Sequence, residues 1–192
     1  MKKIQLSEIQ NSQILSAKEI QIEIASTPVR YYRHGWQSWS LTSWTDLTTL
    51  PLQRPAIFHP LQLDVVHARK SHPHGSWLGA VEFENGSILL LGALATDTTV
   101  SLVGTQLSGR SETDRVNWFI AIGEEKVVFE KYAEELGNHF GRIEKDVAPR
   151  VWCSWYSLYT IIDEPILFEI FDQLADLPFD VLQVDDGWQV SI

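Results

Sequence analysis

Cysteine and methionine are nearly missing from this 192-residue sequence, which holds one of each, Cys153 and Met1. A lone cysteine excludes an internal disulfide framework and suits a reducing compartment, so a cytoplasmic protein is expected. Basic residues are scarce as well: 15 Lys and Arg face 25 Asp and Glu, for a formal net charge of −10. That balance argues against a nucleic-acid partner or an anionic membrane surface. Neutral ligands such as sugars stay open. The longest apolar run, 88–95, falls far short of the ~20 residues that cross a bilayer. Behind Met1-Lys2-Lys3, the apolar Ile4, Leu6 and Ile9 are interspersed with polar residues, which excludes a signal peptide from that stretch. Internal repeats and low-complexity segments are missing too. What is abundant is tryptophan, eight in all. Indole faces fill cores and also stack on sugar rings, and more than one is expected in a core.

Taken in order, the chain changes period once. E-I-Q-I-E-I at 19–24 alternates strictly, the pattern of a half-buried strand, and 29–33 continues in a strand-like register. His34-Gly35-Trp36-Gln37-Ser38-Trp39-Ser40 is a Gly-punctuated aromatic segment, suited to a loop or a strand end. Its two Trp divide evenly between core and projecting loop. Residues 45–75 carry four Pro and little periodicity and read as mostly loop. Strands are expected at 76–83, 88–95, 99–103 and 115–122, with Glu84-Asn85-Gly86-Ser87 turning the first of these into the second. From there Val128, Phe129, Tyr132, Ala133, Leu136 and Phe140 recur at helical spacing, which predicts a helix over 124–140. Pro149 marks a boundary. Residues 151–156 read as a strand, Asp163-Glu164-Pro165 starts a helix, and Leu167, Ile170, Phe171 and Leu174 give it one apolar stripe that ends at Pro178. Residues 181–184, apolar but for Gln183, resemble a parallel strand covered on both faces. A run of strands followed by β-α-β suggests two domains, 1–145 and 146–192.

The chemistry concentrates where the last strand ends, at Asp185-Asp186-Gly187-Trp188. Ligands of α/β proteins gather at the carboxyl ends of parallel strands. One reading is a plain turn, since Asp-Asp-Gly is common turn chemistry. A second is a nucleotide or metal site, weakened by the lack of a Gly-x-x-x-x-Gly-Lys-Ser/Thr loop. A third is sugar binding, with two carboxylates accepting from adjacent hydroxyls beside an indole face. The acid and nucleophile of a retaining glycosidase bracket one carbon at about 5–5.5 Å. Consecutive residues at a strand tip diverge instead, so Asp185 and Asp186 are assigned to binding rather than bond cleavage. In Trp152-Cys153-Ser154-Trp155-Tyr156, alternation sets Trp152 and Ser154 against Cys153 and Trp155. One Trp is expected in the core, while Trp155 is the better placed to reach the acids. Cys153 has no recognisable His partner and reads as a packed thiol. His59, His67, His72 and His74 could suggest zinc, but the spacing is weak and no Cys supports it, so no metal is expected.

Pro149-Arg150-Val151-Trp152-Cys153-Ser154-Trp155-Tyr156, followed by Leu177-Pro178-Phe179-Asp180-Val181-Leu182-Gln183-Val184-Asp185-Asp186-Gly187-Trp188, resembles the first two barrel strands of family 36 glycoside hydrolases, the α-galactosidases and their raffinose-synthase relatives. Tyr32-Arg33-His34-Gly35-Trp36-Gln37-Ser38-Trp39-Ser40 is similar to a motif of their N-terminal β-sandwich domain. Residues 45–145 carry no diagnostic motif. The resemblance implies a β-supersandwich followed by the first β-α-β unit of a (β/α)8 barrel, and retaining hydrolysis of terminal α-galactosides without a cofactor. It implies that Asp185 and Asp186 hold galactose hydroxyls and that Trp155 and Trp188 line the sugar subsite. In several relatives an aromatic loop of the N-terminal domain reaches an active site, which makes Trp36 and Trp39 candidates for that role.

The family's nucleophile and acid/base lie on later strands, and a barrel takes about 200–250 residues, far more than follow Arg150. The chain is therefore expected to be an N-terminal fragment with no catalytic carboxylate, binding a galactoside oligosaccharide and, in full-length form, a homo-oligomer. A galactosyl transglycosylase, a non-catalytic carbohydrate-binding module and the structural half of a split enzyme stand as alternatives.

Overall fold

Ile20, Ile22 and Ile24 are buried while Gln21 and Glu23 turn away, as alternation on a pleated strand requires. The structure, a computed structural model, describes residues 1–36, 40–48, 71–142 and 147–189. They fall into two units, Met1–Arg142 and Ile143–Ile192. In the first, the strands are β1 (Lys2–Gln5), β2 (Ser12–Ala17), β3 (Glu19–Glu23), β4 (Arg30–Arg33), β5 (Ser43–Asp46), β6 (His74–Ser76), β7 (Leu78–Glu82), β8 (Ile88–Ala93), β9 (Thr98–Val103), β10 (Gln106–Ser111) and β11 (Val116–Gly123), followed by helix α1 (Glu125–Phe140). Five of them make a sheet in the order β1-β3-β10-β9-β6 and six make another in the order β2-β11-β8-β7-β4-β5. Among the described residues, only the β1–β3 pairing is parallel within these two sheets.

The two sheets face each other across one apolar core, to which Ile20, Ile22 and Leu107 contribute from one side and Leu89, Leu91 and Ile120 from the other. The opposite face of the six-stranded sheet is also apolar. There Ala80, Leu90, Phe119 and Ala121 pack with Val128 and Tyr132 of α1. The helix starts at Glu124, whose carboxylate accepts from the backbone N–H of Lys126 and Val127 at 3.1 and 3.3 Å. It stops at Gly141, whose φ of 89° breaks the helical path. The layers are thus sheet, sheet and helix.

The Asn85-Gly86 turn joins β7 to β8 as expected, with the Asn85 side-chain oxygen accepting from the Ser87 N–H at 3.0 Å. Three observations depart from the sequence reading. The strand expected at 76–83 is broken at Trp77, whose φ of 66° carries the chain from β6 in one sheet to β7 in the other. Strands β1, β2, β5 and β10 were not anticipated, and β5 and β6 encroach on the ends of the loop expected over 45–75. Residues 49–70 of that loop, with His59 and His67, lie outside the described residues, as does Trp39. Among the described tryptophans only Trp118 is fully buried, whereas more than one was expected in the core.

Strand β10 was hidden by Gly109. A methyl group there would sit 2.6 Å from the Trp118 ring, so the glycine is what lets the indole lie flat against the sheet. The indole N–H donates to the Ala17 carbonyl at 3.0 Å, which satisfies its one polar atom.

The second unit holds β12 (Val151–Cys153), the single-turn helix α2 (Trp155–Leu158), α3 (Glu164–Leu174) and β13 (Val181–Gln183). Strands β12 and β13 pair in parallel with Trp152 opposite Leu182. Asp163 caps α3, accepting from the Ile166 N–H at 2.8 Å, with Pro165 in the first turn. The Phe171 ring meets Trp152 edge-on at 5.9 Å. The strand expected over 151–156 ends at Cys153, because Ser154 takes helical backbone angles and Trp155 opens α2. β13 was expected to be covered on both faces. Val181 and Leu182 are instead 42% and 41% exposed, since β12 is its only strand partner among the described residues.

Ahead of the two strands, Arg150 grips Asp180. Its backbone N–H, Nε and a terminal nitrogen approach the carboxylate at 2.8, 3.1 and 3.1 Å. This forked pairing holds the Asp180 carboxyl at about 2.

Two predictions follow from these contacts. Gly109→Ala should destabilise the first unit by about 1–3 kcal/mol through overpacking against Trp118, seen as a lower urea midpoint. Because folding depresses the Asp180 pKa, its pairing stabilises the second unit above the ordinary carboxylate value of 3.8, and that contribution disappears as the pH falls through about 2. In Arg150→Gln the carboxyl carbon resonance of Asp180 should titrate closer to 3.8, though still below it, because the backbone N–H of residue 150 keeps its bond to the carboxylate.

Candidate functional site

The carboxyl ends of β12 and β13 gather the acids with the residues that follow β12. The Ser154 hydroxyl, buried between the strands, accepts from the Asp185 N–H at 2.8 Å, while the Ser154 N–H donates to the Gln183 carbonyl at 3.0 Å. Ser154 therefore zips the two chains together one residue beyond the ladder. Its signal in the sequence is the small hydroxyl residue between Cys153 and Trp155, and sequence reasoning gave it only a face.

Asp185 is half-buried and engaged on both oxygens. Its Oδ1 accepts from the Asp186 N–H at 2.8 Å, and its Oδ2 accepts from the Cys153 thiol at 3.3 Å and the Gln183 amide at 3.1 Å. The Asp186 N–H is the main cause, and the thiol the next, of a carboxyl held below the usual carboxylate range, against a smaller desolvation that pulls the other way. The charged form is thus the one the site is built around. Each carboxylate oxygen can accept more than one hydrogen bond, so a ligand hydroxyl still has acceptor capacity to meet. Cys153 is half-buried and spends its proton on Asp185, which fits its reading as a packed thiol.

Asp186 is exposed, and its Oδ1 accepts from the Gln189 amide, which bends the chain back over the turn. That turn depends on Gly187. Its φ of 105° is disfavoured for other residues, and an added methyl would lie 2.5 Å from the Thr160 carbonyl oxygen. The two acids therefore differ in character, one locked and one presented to solvent.

The two tryptophans stand apart from this hydrogen-bonded group. Trp155, 36% exposed, meets the Tyr159 ring edge-on at 5.5 Å. Trp188, 73% exposed, lines a cleft of about 360 Å³ with Ile162, Leu167, Phe168 and Phe171. The structure thus brings together Asp185, Cys153, Ser154 and Gln183 directly, and Asp186 with Gln189. It leaves both indoles accessible as apolar surfaces. In the first unit Trp36 is 39% exposed and therefore projects. No group of three or more metal-ligating side chains converges among the described residues. No described helix is long and apolar enough to cross a membrane.

No protein-family model matches the chain, and no curated protein sequence does. Solved structures do match. An α-galactosidase from Thermus thermophilus, in complex with p-nitrophenyl α-D-galactopyranoside, superposes with a TM-score of 0.83 at 37% identity, covering 95% of this chain and 37% of that one. The same organism's enzyme in complex with stachyose gives 0.82 at 35% identity, over 95% of this chain and 41% of that one. An α-galactosidase from Lactobacillus brevis shares the fold at a TM-score of 0.53 and 10% identity, over 92% of this chain and 27% of that one. The chain spans about two fifths of the length of the Thermus structures. At that identity along nearly its whole length, the chain is similar to the N-terminal part of the α-galactosidases of glycoside hydrolase family 36.

Proposed function

We propose that this chain forms the N-terminal part of a retaining α-galactosidase that acts on terminal α-galactosides of the raffinose and melibiose class. Residues 1–145 make its β-sandwich domain and 146–192 begin its (β/α)8 catalytic barrel. The observation that carries this reading is the acid pair at the carboxyl end of a parallel strand, in a chain 37% identical to an α-galactosidase bound to a galactoside. Within it, Asp185 and Asp186 accept from the galactose hydroxyls, chiefly those on carbons four and six. Asp185 acts from a fixed, half-buried position and Asp186 from the exposed side of the turn. Trp155 and Trp188 give their faces to the carbon-bound hydrogens of the ring.

Bond cleavage belongs to carboxylates outside this stretch. Two consecutive acids, one of them bonded to its neighbour's backbone, cannot bracket an anomeric carbon from opposite faces. The chain needs no cofactor for this role. Its charge of −10 favours a neutral oligosaccharide over nucleic acid or an anionic membrane, and its single cysteine suits a cytoplasmic setting.

The purified 192-residue chain should bind p-nitrophenyl α-D-galactopyranoside in calorimetry without releasing p-nitrophenol. Asp186→Ala should weaken that binding by about tenfold or more, the usual consequence of losing hydrogen bonds to a charged acceptor. Steady p-nitrophenol release from the chain alone would overturn the assignment of catalysis elsewhere. Unchanged affinity in Asp186→Ala would overturn the role of the acid pair.

A further inference from the structure

The five-stranded sheet of the first unit turns an unusual face outward. Cross-strand register aligns Gln21, Ser108, Ser101 and His74 in one row over β3, β10, β9 and β6. Glu19, Arg110, Thr99 and Ser76 form the row beside it. Three interstrand steps of about 4.8 Å make each row about 14 Å long. Solvent-facing sheet positions usually carry long side chains, but in the middle of this face Ser108, Ser101 and Thr99 stand beside one long side chain, Arg110, while His74 and Ser76 at the β6 end are buried. The floor is therefore low, and a groove of about 710 Å³ runs across it, within the size range of small-molecule sites.

One wall of that groove is aromatic. His34 lies along the edge of β6, where its carbonyl accepts from the Ser76 N–H at 2.8 Å and its Nδ1 lies 3.1 Å from the Ser76 carbonyl. Gly75 permits this approach, since a methyl group there would come within 3.0 Å of the His34 nitrogen. These contacts deliver Trp36, two residues on, to the groove, where Trp77 joins it. Trp77 is the residue held at φ 66°, a cost that places its indole at the junction of the two sheets.

The polar groups of the groove suit hydroxyls better than charges. Arg110 sits 3.9 Å from Glu19 and 3.7 Å from Glu112, too far for hydrogen bonds, so its planar donors stay open between two acceptors. Glu19, Glu112 and the nearby Asp97 outnumber that guanidinium, which disfavours an anionic ligand. Flat indoles on one side and mixed donors and acceptors on the floor match a neutral, polyhydroxylated ring, with apolar faces and hydroxyl edges.

We propose that this groove is a second carbohydrate site, non-catalytic and formed entirely within Met1–Arg142, which takes a neutral oligosaccharide along the Ser101–Ser108 floor against Trp36. It shares no residue with the acid pair and stands whether or not that pair grips galactose. The test is saturation transfer from protein to stachyose protons, using the full chain carrying Asp186→Ala and Trp188→Ala so that the proposed galactose site is disabled. Transfer should persist in that background. Adding Trp36→Ala or, separately, Ser108→Lys to fill the floor should reduce it about tenfold while far-ultraviolet dichroism stays unchanged. Loss of transfer in the background itself, or transfer insensitive to both groove substitutions, would overturn the proposal.

Discussion

Strand β8 has no side that can face water. All six residues of Ile88–Ala93 are buried, Leu89, Leu91 and Ala93 toward the second sheet and Ile88 and Leu90 toward α1. Burying each such aliphatic side chain contributes about 1.5–3 kcal/mol, so a strand of this kind is worth forming only if both faces are covered. The five-stranded sheet supplies one cover and the helix the other. The three-layer order of the first unit follows from that single strand, and α1 is a structural layer rather than an appendage.

Large aromatics tie the layers together by their polar ends. The Tyr31 hydroxyl crosses the sandwich to donate to the Val100 carbonyl at 3.0 Å, and the Tyr132 hydroxyl leaves the helix to donate to the Ala93 carbonyl at 2.7 Å. Burial pushes both phenols well above their usual range, so each remains a donor at any ordinary pH. Such a bond adds little net free energy, but a buried hydroxyl left unpaired would cost about 1–3 kcal/mol, so the bonds select one relative placement of the layers.

Periodicity made the fold legible wherever one face of an element is wet. β3, β9, α1 and α3 all emerge from alternation or from helical spacing, and Asn85-Gly86 announces its hairpin. Strand β10 escaped notice because its Gly109 serves a packed indole, and only the structure shows what lies above it. Strands β1 and β2 mix polar with apolar residues, and they pair with strands distant in sequence, β3 and β11. At the site, the residue types pointed to the acid pair and its turn. What the sequence could not convey is the asymmetry within the pair. Asp185 is locked because Ser154 leaves the strand for a helical turn and Cys153 faces it, facts of backbone direction that a strand reading of 151–156 obscured.

The short parallel ladder of the second unit is fastened at both ends, by the Arg150–Asp180 fork below and by the Ser154–Asp185 contact above. With only three residue pairs between them, the ladder by itself would define its alignment weakly. A slip of one position would rotate every side chain of β13 to the opposite face and carry Asp185 with it. The lower fork therefore acts as an indexing pin: a charge pair at the near end of the strand determines the direction in which the acid at its far end points.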